Sequence, residues 1–325
     1  MKKKILSLVL VSVMLLTACG RQPAAGPEDD GIAHIVATTY PIYLLVNYLT
    51  QGLEGVQVER LDTGSTSCLH DYNLTVNDMK KIEKADVIAI NGVGLEEFLE
   101  DALHTSDALV IDCSEGVELL ENEGHHHEEE AEDEDHDHGH DGHDHGHFDP
   151  HYWMDPRNAQ VMVENLRVAL TRLLPENSEH FANVAIGADT ILRTTDLFLR
   201  EDMLRGGTDE IAGLITFHDG FRYFAHAYDL PLLESIEEEA GSEASAKEIV
   251  EITELVKEHN IPVIFTEVNG SDATAKAVAR ETGCAVAQLS MLMDGEEGTL
   301  KEYVDGMIAN MDAIRHGFAA EEETA

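Results

Sequence analysis

Short apolar runs rich in β-branched residues alternate along this chain with longer segments of helical periodicity. The runs form two sets of four, one in each half of the chain, and the segments between them match helices at 43–51, 75–84, 246–258 and 273–282. Such alternation is typical of α/β units, in which helices connect parallel strands. It predicts two α/β lobes, each with a four-stranded, mainly parallel sheet, with strands near residues 35–39, 56–61, 87–91, 109–112, 214–217, 232–235, 263–266 and 286–289.

A long stretch of helical periodicity, residues 175–205, separates the two sets of strands. As a single helix its 31 residues would extend about 45 Å, at 1.5 Å per residue. A helix of that length could brace both lobes, and the alternative is a flexible linker of two helices. A separate helix over 157–174 precedes it in the first lobe, with Asp155 as N-cap and Pro156 at the first helical position.

The amino terminus carries a secretion signal. Three lysines follow Met1, and an apolar run over 5–16 ends in small residues directly before Cys19. The run is too short for a comfortable membrane span, and its end matches the cleavage signal of a bacterial lipoprotein. We predict a signal peptide over 1–18, a lipidated Cys19 anchored on the extracytoplasmic face of the cell membrane, and a solvated tether over 19–31. An uncleaved signal anchor is the alternative.

The formal net charge of −43 at pH 7 excludes nucleic acid as a partner, because phosphate backbones would be repelled. The same charge makes the surface favourable to cations. Besides Cys19 the chain has three cysteines, Cys68, Cys113 and Cys284. This odd number permits one disulfide and leaves its pairing open.

Residues 121–147 form a low-complexity segment that holds nine of the chain's 18 histidines among acids and glycines. Imidazole and carboxylate are both good ligands for zinc, nickel and copper. A loop that served only solubility would not need the histidines. We predict an auxiliary metal-binding loop of modest affinity, since ordering it costs entropy; its donors are His125, His126, His127, His136, His138, His140, His143, His145 and His147.

Three histidines outside this loop, His70, His151 and His218, stand at the ends of predicted strands or in the turns after them. In open α/β sheets these loops line the ligand crevice. A single histidine is more often structural than a ligand, but the shared placement favours the three together as a metal site. The remaining histidines are expected to be surface or packing residues.

Four blocks of sequence resemble the zinc/manganese-type solute-binding proteins of ABC transporters. They are residues 64–72 (GSTSCLHDY), 85–96 (ADVIAINGVGLE), 149–156 (DPHYWMDP) and 216–224 (TFHDGFRYF), and they occur in the family's order. The likeness extends from about residue 32 to residue 318. The acidic, histidine-rich segment directly before the third block is similar to that of the zinc-importing branch.

The resemblance implies two α/β lobes, 32–174 and 206–318, joined by one long rigid helix and followed by an acidic tail at 319–325. A metal would lie in the cleft between the lobes, held by His70 and His151 from the first lobe and His218 from the second. The implied function is to capture zinc as cargo and deliver it to a membrane permease driven by an ATPase. The implied protein is a monomer that does no covalent chemistry.

Two other classes of function stay open at this point. A manganese-importing or adhesin-like member of the same family would share the fold. A zinc-dependent hydrolase would need a carboxylate as general base, for which Asp71, Asp219, Glu238 and Glu239 are near the predicted ligand loops. The sequence has no HExxH or comparable motif, so import is favoured.

The fourth metal ligand departs from the family pattern. Many relatives place an aspartate just after the last strand of the second lobe, whereas this chain has Ser290 at or next to that position. Serine is a poor zinc ligand, so water, Asp294, Glu238 or Glu239 would complete the site. Three imidazoles and one oxygen suit tetrahedral zinc, while manganese prefers more oxygen ligands. The sequence therefore predicts selectivity for zinc over manganese.

The anchor yields a first testable prediction. Replacing Cys19 with Ala should release or mislocalise the protein, while metal binding by the folded domain stays unchanged because the tether separates anchor from cleft. Membrane fractionation and mass spectrometry of the mature wild-type protein check this. An unmodified Cys19 in the mature protein would contradict the lipid anchor.

Overall fold

The structure is a computed structural model that describes residues 31–63, 69, 72–122, 147–206, 211–236 and 245–319. The predicted signal peptide, Cys19, the tether up to residue 30 and the acidic tail from residue 320 lie outside the described residues. Within those ranges, no helix is both long enough and apolar enough to cross a membrane.

Two four-stranded sheets, parallel throughout, organise the described part of the chain. Every strand lies within two residues of its predicted position, which confirms the predicted fold class. The strands are β1 (Ala33–Ala37), β2 (Val56–Arg60), β3 (Val87–Ile90), β4 (Leu109–Asp112), β5 (Leu214–Thr216), β6 (Leu232–Ser235), β7 (Val263–Glu267) and β8 (Ala285–Leu289).

Both sheets have the same strand order, β2-β1-β3-β4 and β6-β5-β7-β8. In each half of the chain, the second strand pairs with one edge of the first strand, and the third strand pairs with its other edge. Ile35 of β1, for example, pairs with Val58 of β2 on one side and with Val87 of β3 on the other. Ligand crevices of open α/β sheets lie outside the carboxyl ends of the strands at such a reversal. The ends of β1 and β3, and of β5 and β7, are thus the places to look for a site.

Helices connect the strands and cover the sheets. Helix α1 begins three residues earlier than predicted, because the Thr39 side chain accepts a hydrogen bond from the Ile42 N–H and Pro41 suits the first turn. Asp155 caps α4, as predicted. The helices are α1 (Tyr40–Thr50), α2 (Val76–Lys84), α3 (Glu100–Thr105), α4 (Pro156–Leu173), α5 (Ser178–Gly206), α6 (Arg222–Ala227), α7 (Ala246–Glu258), α8 (Ala273–Thr282) and α9 (Leu300–Ala319).

The segment between the two sheets is one unbroken helix of 29 residues, α5, preceded by a short 3-10 turn at Pro175–Asn177. This result decides for a single helix and against a linker of two helices. Helix α5 packs against α1 and α4 from the first half of the chain and against α9 from the second. Phe181, Leu192 and Leu199 face this packing and are buried, whereas Phe198 is half exposed.

A buried tryptophan joins the two halves directly. The indole Nε1–H of Trp153 donates a 2.9 Å hydrogen bond to the carbonyl oxygen of Met291, just beyond β8. The carbonyl oxygen of Trp153 accepts a 2.7 Å bond from the hydroxyl of Tyr303 in α9. Because all three side chains are buried, these bonds hold the two halves together inside one continuous core.

Candidate metal centre

His151 lies on the first-half side of the cleft and is 2% exposed. It does not follow a strand of either sheet, so that part of its predicted placement is wrong. The chain instead returns through an isolated antiparallel bridge between Glu121 and Phe148. His151 then directly precedes the short 3-10 helix Tyr152–Met154, whose three side chains are buried in the core.

Asp149 fixes the orientation of the His151 ring. Its Oδ1 accepts a 2.8 Å hydrogen bond from the His151 backbone N–H and lies 2.8 Å from His151 Nδ1. An ionised carboxylate can only accept, so it favours the tautomer with the proton on Nδ1. Nε2 then carries the lone pair with which the ring can bind a metal, which is the usual carboxylate–histidine arrangement at metal sites.

His218 comes from the second sheet, directly beyond the carboxyl end of β5. The Phe217 N–H continues the pairing by donating to the carbonyl oxygen of Phe265 in β7 at 2.9 Å. The hydroxyl of Thr216 donates to the His218 carbonyl oxygen at 2.8 Å. The turn is thus held on both sides, and the His218 side chain, 13% exposed, stands at the predicted strand end.

The two imidazoles meet across the cleft. Their Nε2 atoms are 3.3 Å apart, and the rings are nearly perpendicular, at 82°. Two nitrogens bound to one tetrahedral zinc at about 2.0 to 2.1 Å would be roughly 3.3 to 3.4 Å apart. The observed spacing therefore suits a shared zinc ion.

Two carboxylates lie beside His218. Asp219 Oδ1 is 3.6 Å and Glu267 Oε1 is 4.0 Å from His218 Nε2. In the described ranges, His151, His218 and Asp219 form the one group of His, Cys, Asp or Glu side chains whose ligand atoms all lie within 4.8 Å of each other. The sequence pointed to Asp219 only as a possible hydrolytic base. It missed Glu267, although that residue ends β7 at the strand reversal.

His70, Glu238 and Glu239 lie outside the described residues, and so do all the loop histidines except His147. His147 pairs through its carbonyl oxygen with the Asn122 N–H at 3.0 Å. Tyr72, two positions after His70 in the sequence, donates its hydroxyl hydrogen to the buried carboxylate of Asp78. Because eight of the nine loop histidines lie outside the described residues, the auxiliary metal-binding role of the loop remains a prediction.

Ser290 and Asp294 have structural partners. The Ser290 hydroxyl oxygen accepts from the Leu292 N–H at 3.1 Å, and an Asp294 carboxylate oxygen accepts from the Asn269 amide at 3.0 Å. Their proposed part in the fourth ligand position stays a prediction. Cys113 and Cys284 are free thiols.

A tyrosine from the second half also reaches the Asp149 loop. The Tyr223 hydroxyl of α6 donates to the Asp149 carbonyl oxygen at 3.0 Å and accepts from the Leu120 N–H at 2.8 Å. Burial raises the pKa of the Tyr223 hydroxyl to about 12, so it keeps its proton at physiological pH. The loop that carries His151 is consequently tied to the opposite side of the cleft.

Fold and site together define a two-lobed α/β protein with a candidate metal centre formed by residues from both halves of the chain. The chain belongs to the family described as zinc-uptake complex component A, periplasmic (ZnuA), whose model matches residues 35–317.

Individual relatives agree with this assignment. The high-affinity zinc uptake system protein ZnuA of Bacillus subtilis is 29% identical over 95% of this chain and 96% of its own length. The zinc-binding protein AdcA of Streptococcus pyogenes is also 29% identical, over 97% of this chain, but the match spans only 61% of AdcA. The solved periplasmic zinc-binding protein TroA of Treponema pallidum superposes with a TM-score of 0.74 at 24% identity, covering 89% of this chain and 100% of TroA, and supports the fold.

The contact between Asp149 and His151 yields a second prediction. Replacing Asp149 with Asn weakens the acceptor at Nδ1, and we expect zinc affinity to fall by about tenfold to a hundredfold. Chelator competition titrations measure the change.

Ser245→Ala is the control, since it removes the cap of α7 and lowers stability by about 1 kcal/mol without touching the cleft. Equal zinc affinity in Asp149→Asn and wild type would show that Asp149 does not influence metal binding by His151.

Proposed function

We propose that this protein is the extracytoplasmic solute-binding protein of an ABC importer, which captures zinc and delivers it to a membrane permease driven by an ATPase. Family membership supports this role. The observation that carries it is the 3.3 Å approach of two imidazole nitrogens from opposite sides of the cleft. Neutral imidazole is a preferred zinc ligand, and this spacing suits a tetrahedral ion.

The proposed ligands are His70, His151 and His218, with a carboxylate oxygen of Asp219 completing the shell. Asp219 is favoured over Glu267 because it joins both described histidines in one group. Ser290 and Asp294 are less favoured because their side chains have other partners. Three nitrogens and one oxygen favour zinc over manganese, which takes more oxygen ligands.

Because the proposed ligands come from both lobes, metal binding affects how the two lobes are arranged. A metal that is held from two sides stabilises the arrangement in which both sides are in place, and the permease can distinguish that state from the empty one. Helix α5 packs against helices of both halves, so we propose that the change is small. No covalent step is part of the role.

The segments beyond the described residues complete the proposal. A lipid on Cys19 would hold a monomer at the membrane surface, where the permease lies. The histidine-rich segment would gather zinc near the cleft when zinc is scarce. The net charge of −43 favours this capture by raising the local concentration of cations.

Ligand substitutions test the proposed role. His151→Ala and His218→Ala should each lower the affinity of the tight site by more than about a hundredfold, since the loss of an outer partner alone costs 10 to 100-fold. Asp219→Ala should weaken it less, because a water can replace the carboxylate oxygen. Titration with one equivalent of zinc, in competition with a chelator and with manganese, separates this site from the weaker loop sites.

Ser290→Ala is the matched control, and it should bind zinc as wild type does. Manganese binding as tight as zinc binding, or a Ser290→Ala loss equal to a histidine loss, would contradict the assignment. Zinc-dependent ester or phosphoester hydrolysis without tight zinc binding would contradict the import role and support a catalytic one.

A further inference from the structure

A buried carboxylate, Glu96, lies at the strand reversal of the first sheet. It is 6% exposed. Its Oε1 accepts hydrogen bonds from the Thr38 hydroxyl at 2.6 Å and from the Asn91 N–H at 2.7 Å, and its Oε2 accepts one from the Gly92 N–H at 2.9 Å. Thr38 follows β1 and Asn91 follows β3, so this one carboxylate links the ends of both strands.

Burying the Glu96 carboxylate is energetically unfavourable, so its place in the core requires compensating contacts. Burial raises the pKa of the Glu96 carboxyl to about 7, although the three donors oppose this shift. A buried acid costs stability unless hydrogen bonds compensate. Its donors hold the turn at 92–94, where Gly92, Val93 and Gly94 all have positive φ.

Asn91 carries the connection from Glu96 to the metal centre. Its side-chain Nδ2 donates to the Pro150 carbonyl oxygen at 2.9 Å, and its own carbonyl oxygen accepts from the Tyr152 hydroxyl at 2.6 Å. Asn91 is fully buried. The residues immediately before and after His151 are therefore both bonded to Asn91, about sixty positions earlier in the chain.

We propose that Glu96, acting through Asn91, is a positioning residue that holds the His151 loop in its metal-binding geometry. Asp149 sets the rotation of the ring, while Glu96 and Asn91 set the place of its backbone relative to β1 and β3. The metal then meets His151 already in position, so less binding energy is spent on ordering the loop. This inference rests on the proposed function, because it assumes that His151 binds the cargo.

A double-mutant cycle on the full chain, with zinc as the probe, tests the proposal. Glu96→Gln keeps the size of the side chain but turns an amide N–H₂ toward one of the three donors. In the wild-type background we expect Glu96→Gln to weaken zinc affinity by about tenfold, the lower end of the effect of outer partners. In the His151→Ala background the same change should have almost no effect, because coupled residues are not additive.

A matched control separates positioning from general destabilisation. Asp196 is another buried acid, bonded to Arg200 one turn along α5. Asp196→Asn should lower the melting temperature while leaving zinc affinity unchanged. If Glu96→Gln does not fold, Tyr152→Phe removes the hydroxyl bond to Asn91 instead, and it should also weaken zinc binding only when His151 is present.

The outcomes are distinct. If Glu96→Gln lowered zinc affinity by the same factor in the wild-type and His151→Ala backgrounds, the positioning role would be overturned. Glu96 would then be only a buried acid in the core of the first lobe. No loss in Glu96→Gln or Tyr152→Phe would overturn it as well. Tight zinc binding that survives His151→Ala would instead contradict the proposed ligand set.

Discussion

The site depends on the way the two halves of the chain are joined, because His151 and His218 belong to different halves. Their 3.3 Å approach requires a fixed junction, and Trp153 supplies part of it. Its indole and carbonyl groups bond to Met291 and Tyr303 from the second half. Close-packed interiors deform little, so this buried junction and the packing of α5 constrain the distance between the two imidazoles.

The parallel sheets bring the polar groups to this junction. Their strand reversals place Asn91 and Glu96 at one crevice and His218 and Glu267 at the other. Around the two imidazoles lie acids with separate tasks: Asp149 orients a ring, Asp219 stands within reach of a shared ion, and Glu96 holds a turn. The result is a cleft with nitrogen donors at its centre and negative charge behind them, which suits capture of a small divalent cation.

Much of the fold could be predicted from the sequence because its signals are local. The β-branched runs predicted every strand to within two residues, and the helical periodicity over 246–258 predicted α7, which begins at a capping box formed by Ser245 and Glu248. The order of the strands and the contacts around the cleft are long-range properties that periodicity does not contain. For this reason the route of the chain into His151, the proximity of Asp219 to both histidines and the part of Glu267 were not foreseen. The contact between Asp149 and His151 was not predicted either, although the two residues are only two positions apart.

The most direct test is a crystal structure of the zinc-loaded full chain with anomalous diffraction at the zinc edge. We expect the strongest zinc peak between His151 and His218, at about 2.0 to 2.1 Å from both Nε2 atoms. A strongest peak elsewhere, with these two nitrogens bound to no common ion, would contradict it.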